Sequence, residues 1–124
     1  MNTDTMGILT FAYMGDAIYE VYVRKYLIQK GIAKVNDLQK EATKYVSAKG
    51  QCSFLTKLLE NDFLLPEEGE IVYRARNHKV AHRPKSTDII TYKCATRLEA
   101  LIAYLYIKEN FETITQIMNE LLGE

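Results

Sequence analysis

Tryptophan is absent from this chain of 124 residues, and cysteine, proline and histidine occur only twice each. Two cysteines forty-two positions apart, Cys52 and Cys94, form neither a CxxC pair nor a disulfide framework, so they are expected to be reduced, packed thiols without chemistry. Two prolines and six glycines exclude a collagenous or low-complexity chain. Neither sign of charge is in excess: sixteen basic residues face sixteen acidic ones, at a pI near 6.7. Any surface for a polyanion must therefore come from local clustering. No apolar run approaches the ~20 residues of a membrane span, and the N-terminus lacks the basic start and clean apolar core of a secretory leader, so a soluble, cytoplasmic protein without a membrane partner is expected.

What the chain does have is apolar content, 48% of residues, in a length that suits one domain over residues 1–124. Periodicity predicts a helix over residues 8–29, ended by Gly31, with apolar or small residues at Leu9, Ala12, Tyr13, Ala17, Val21 and Tyr26. Asn36 is the expected N-cap of a second helix, stopped or bent at Gly50, with a third helix following in "QCSFLTKLLEN". Pro66 before "EEGE" marks a fourth start, with proline in the first turn and acids at the positive end of the dipole. A long helix is predicted from about Thr87 or Asp88 to Lys108, with Ala95, Leu98, Leu101, Ile102 and Leu105 buried, and an amphipathic helix in "NFETITQIMNELL" closes the chain. With no convincing strand, the fold class is all-α, a helical bundle.

Two helices carry the same anomaly. Asp16 follows Gly15 in mid-helix, where glycine costs ~1 kcal/mol relative to alanine, so a backbone or a ligand is expected to come close there. Glu20 lies one turn on, on the same face. Glu99 sits in "ATRLEALIAYLY", an acid among apolar and small residues. A plain surface explanation pairs Asp16 and Glu20 with Arg24 or Lys25, and Glu99 with Arg97. Between the two helices, residues 74–85, "RARNHKVAHRPK", carry five Lys/Arg and no acid. Arg74, Arg76, Lys79, Arg83 and Lys85 are candidates to grip phosphates, with Asn77 and Ser86 or Thr87 as hydrogen-bonding neighbours and Lys44 and Lys49 as weaker candidates. His78 and His82 have the spacing of a zinc pair, but the glutamate and a third ligand are missing. RNA contact or plain surface is the better reading of them.

"GDAIYE" at 15–20 with "LEALIAYLYI" at 98–107 resembles the ribonuclease III catalytic domain, and "VSAKGQ", "YRARNHK" and "TYKCATRLEALIAYLY" narrow the resemblance to its short branch, Mini-ribonuclease III. The similarity runs from about Phe11 to Ile107. It implies a homodimeric, magnesium-dependent endoribonuclease that cleaves double-stranded RNA to 5′-phosphate and 3′-hydroxyl ends, with manganese as a possible substitute ion. It further implies maturation of precursor 23S ribosomal RNA, with a ribosomal protein able to present the substrate. Asp16 and Glu99 would be the catalytic, metal-binding carboxylates, and Glu20 an acid behind them. Acids found elsewhere in the wider family are replaced at Leu9, Ala12 and Thr96 and near Lys49. Those losses leave an alternative open, a catalytically silent module that binds structured RNA or a ribosomal partner. Ala95, Ala100 and Ala103 would let helices approach closely, either in the core or at a dimer interface.

Overall fold

The structure, a computed structural model, describes residues 7–76 and 88–123. Among these, six helices and no strand are found: α1 Ile8–Gln29, α2 Val35–Val46, α3 Ala48–Glu60, α4 Pro66–Ala75, α5 Ile89–Ile107 and α6 Phe111–Leu122. The candidates Asn77, His78, Lys79, His82, Arg83, Lys85, Ser86 and Thr87 lie outside the described residues.

Local chemistry sets most of the boundaries. Gly31, at φ +97°, lets the chain leave α1 in the left-handed region that a Cβ disfavours. Pro66 opens α4, and Glu68 Oε1 accepts the Leu65 N–H at 3.0 Å, closing the first turn. Asp88 caps α5 by accepting from Thr91 N at 2.8 Å, and these hydrogen bonds hold its carboxyl below its ordinary pKa. Asn110 caps α6 through Thr113 N at 3.3 Å.

Two expected boundaries move. The cap of α2 is Lys34 and not Asn36; Asn36 and Asp37 fall in the first turn, where an acid still meets the positive end of the dipole. The break between α2 and α3 falls at Ser47, not at Gly50. Ser47 takes an extended conformation and its Oγ accepts from Gly50 N at 3.1 Å, so the serine starts a new helix. Gly50 serves a different need, because a Cβ there would overlap the Lys44 carbonyl oxygen.

Helix α5 is the axis of the fold and packs against α1, α3, α4 and α6. Its residues Leu98, Leu101, Ile102 and Leu105 are buried among Tyr19, Val23, Leu55, Leu58 and the inward residues of α6. Each such side chain contributes roughly 1.5–3 kcal/mol by leaving water. Its small residues settle the choice left by the sequence: Ala95, Ala100 and Ala103 are all buried in the core, and Ala100 and Ala103 meet Phe11, Ile71 and Ala75. Helix α1 differs from its expected pattern. The buried strip is Phe11, Gly15, Tyr19, Val23 and Tyr26, whereas Leu9, Tyr13, Ala17 and Val21 face outward, Tyr13 at 86% exposure. The helix is apolar on both sides, so hydrophobic spacing alone did not distinguish them.

The thiol expectation is also corrected. Cys52 of α3 and Cys94 of α5 are joined as a disulfide, with Cα atoms 5.1 Å apart. The packing of α3 along α5 brings together two positions that their separation in sequence does not connect.

Candidate active site

Gly15 decides how α1 meets α5. A Cβ on it would overlap the Glu99 carbonyl oxygen, with the Glu99 Cα 3.0 Å away, so only glycine allows the two backbones this approach. The sequence expectation of a close backbone at Gly15 is met, and the backbone belongs to the other anomalous acid. Asp16 and Glu99 are brought together, near enough for the Asp16 carboxyl to act on that of Glu99. Asp16 is exposed and Glu99 half-buried, so the pair sits at the rim of the helix crossing.

Burial pushes the Glu99 carboxyl up to about 9, and Asp16 adds to the shift. Gln51 opposes it by hydrogen bonding the charged form. This glutamine is 2% exposed and donates from Nε2 to the Val46 carbonyl at 3.1 Å, which fixes the amide where α2 gives way to α3. Its Oε1 is buried without a hydrogen-bond partner among the described residues. Tyr19, one turn after Asp16, lines the inner wall and donates its hydroxyl to the Tyr45 carbonyl at 2.8 Å. Burial raises the Tyr19 phenol, and the nearby Glu99 raises it further.

The surface explanation holds for one acid and fails for two. Glu20 pairs with Arg24 at 2.7 Å, on the outside of α1. Arg97 does not pair with Glu99; its Nε donates to the Val72 carbonyl of α4 at 3.2 Å. Burial and the adjacent Arg76 lower the Arg97 pKa. Arg74 and Arg76 are exposed at the end of α4, with the Arg76 guanidinium 4.4 Å from the Tyr73 ring centroid. The Arg76 and Arg97 guanidinium groups thus lie near one another by the C-terminal end of α4. Leu9 is exposed and Ala12 buried, and the buried Thr96 hydroxyl donates to its own helix at Tyr92 O, 3.0 Å, so these positions add no acid to the pair.

Among the described residues no group of three His, Cys, Asp or Glu side chains is placed to hold a metal. The donor set nevertheless fits a hard divalent cation. Two carboxylates press together, and a buried amide oxygen on the residue that contacts Glu99 has no partner. Magnesium takes oxygen ligands and keeps several waters, so two carboxylates suffice to hold it.

Residues 9–110, spanning both acids and the basic segment, match the Ribonuclease III domain family. The chain belongs to this family. Curated relatives include bacterial Mini-ribonuclease 3 proteins. That of Streptococcus pneumoniae is 40% identical over 111 residues, 90% of this chain and 87% of the relative. That of Brevibacillus brevis is 45% identical over 113 residues, 90% and 82% of the two chains. A crystal structure of a protein from Fusobacterium nucleatum superposes with a TM-score of 0.84 at 34% identity, covering 96% of this chain and 93% of that one. The six helices are therefore a ribonuclease III domain fold, and the chain is an endoribonuclease of the Mini-ribonuclease 3 branch. A silent module is not what this membership describes.

Gln51 and Tyr19 escaped the sequence reading as site residues. Tyr19 is at the same time a core residue, at 0% exposure. Gln51 had one signal, a long amide directly after the glycine of "VSAKGQ" in a half-apolar helix.

Proposed function

We propose that this endoribonuclease cuts double-stranded RNA as a homodimer, with a magnesium ion, or manganese in its place, held by Asp16 and Glu99. The observation that carries the reading is the glycine-permitted contact of α1 with α5, which brings the carboxylates of Asp16 and Glu99 together. Magnesium bound there supplies Lewis-acid neutralisation of the scissile phosphate and a water of lowered pKa. Without a cation, the raised pKa of Glu99, about 9, keeps it protonated beside Asp16 at neutral pH, and as a carboxylate it would hold the cation together with Asp16. Gln51 orients the Glu99 carboxyl, and the Tyr19 wall keeps bulk water from its inner side. Glu20, one turn away, has its charge offset by Arg24 and is the remaining acid that stands behind the pair.

The basic segment, Arg74, Arg76, Asn77, Lys79, Arg83, Lys85 and Ser86, grips sugar and phosphate oxygens, which is how an A-form duplex is read. Two strands need two sites, and a two-fold pair of chains supplies one to each strand. The outward strip of α1, Leu9, Tyr13, Ala17, Val21 and Ile28, supports such pairing as an apolar face beside the acid pair. In this reading the natural duplex is the end of precursor 23S ribosomal RNA, presented with a ribosomal protein in the cytoplasm. No described helix is long and apolar enough to cross a membrane.

The test is incubation of an end-labelled RNA duplex with magnesium or with EDTA. Cleavage in magnesium alone, leaving 5′-phosphate and 3′-hydroxyl ends, is expected. Duplex binding without cleavage would sink the reading, and cleavage undiminished by EDTA would sink its metal.

A further inference from the structure

We infer that the groove between α2 and α3 is a second RNA-binding track, which takes the phosphodiester backbone of the duplex beyond the step being cut. The inference rests on duplex RNA being the substrate. Where Ser47 breaks the chain and α3 turns back against α2, an open groove of about 570 Å³ forms. Lys40, Lys44 and Lys49 line it, with the hydroxyls of Ser47 and Ser53 between them and Tyr45 and Phe54 as its apolar wall.

Charge singles this groove out. Three lysines and no acid line it, in a chain whose net charge is zero. Lys44 is engaged by Glu41 at 3.0 Å, so Lys40 and Lys49 carry most of the field. Lysine ammonium groups on flexible stems act as point charges and, with hydroxyl donors, suit non-bridging phosphate oxygens and 2′-hydroxyls rather than base edges. An open groove without an enclosed floor fits a passing strand better than a small anion.

Its position relative to the acid pair completes the argument. Gly50 lines the groove, and the next residue, Gln51, touches Glu99. Tyr45 forms its wall, and the carbonyl of that tyrosine accepts the hydroxyl of Tyr19, one turn from Asp16. The groove is thus tied to the carboxylates through two short links, on α3 rather than on the α4 end that carries Arg74 and Arg76. A strand phosphate at the acids has basic ground available along α2 and α3 as well as along residues 74–85.

The test compares wild type with Lys40→Glu/Lys49→Glu, two exposed positions outside the acid pair, after circular dichroism and melting show the variant folded. Binding of a fluorescent 30-base-pair RNA duplex is measured with calcium replacing magnesium over a range of salt, and cleavage separately with magnesium. The double variant is expected to bind about tenfold or more weakly, with a log K against log salt slope shallower by about one to two. Equal affinity and slope, with wild type binding and cleaving normally, would overturn the groove and leave the proposed function standing. Wild type that neither binds nor cuts the duplex would overturn both. Unchanged duplex affinity with lost binding of poly-glutamate would assign the groove to an acidic protein partner and overturn the proposal.

Discussion

Gly15 and Glu99 work as one feature. The absent Cβ lets α1 lie on the Glu99 carbonyl, and the same contact sets the distance between the two carboxyl groups. Gly15→Ala gains ~1 kcal/mol of helix propensity. It loses more by forcing two backbones apart, an overpacking cost of about 1–3 kcal/mol or above. The urea midpoint of the variant should fall, and an unchanged or higher midpoint would show that the helices are not in contact there. Glu99 makes a second residue-scale prediction. Its carboxyl is held near 9, well above its unfolded value, so the fold favours the protonated form. That contribution is complete below the unfolded pKa and is lost as pH rises through about 9. In EDTA, Glu99→Gln should therefore gain stability over wild type as pH climbs from 5 to 9. The gain should reach roughly 1–2 kcal/mol, below the full linkage value because solvent reaches part of the group. A pH-independent difference in melting would contradict the assigned burial.

At the scale of the elements, caps and packing divide the work. The starts of α5 and α6 were legible to within a residue or so from their long periodic runs, and the structure shows that Asp88 and Asn110 cap them. Replacing Asn110 by alanine should cost about 1 kcal/mol, seen as a lower thermal midpoint with the helix content retained. No loss would mean that the start of α6 is held by packing alone. The break at Ser47 was harder to read than a glycine, because "VSAKGQ" holds two plausible breakers three residues apart. What separates them is the Lys44 carbonyl beside Gly50, which is a tertiary fact. The face of α1 was unreadable for a related reason. Both its sides are apolar, one for the core and one left outward, and only the position of α5 distinguishes them. The Cys52–Cys94 bond and the place of Gln51 likewise depend on how α3 lies along α5. Fold class and helix order needed only local words and spacing.

On the scale of the whole molecule, the outward strip of α1 and the need for two cuts point to paired chains. Tyr13→Glu/Val21→Glu places two charges on that strip, at residues 86% and 63% exposed, so the monomer fold should survive. Sedimentation should then report monomer where wild type reports dimer, and cleavage of both strands should be lost. A variant that stays dimeric would place the interface elsewhere. Central to the proposed function is the carboxylate pair acting as one unit, which single-turnover cleavage of duplex RNA in magnesium tests most directly. Asp16→Asn and Glu99→Gln should each slow the cut by about a thousandfold or more, and the double variant should be no slower than either single one. A rate within about tenfold of wild type for either variant, or losses that multiply in the double, would show that the two acids do not share one ion.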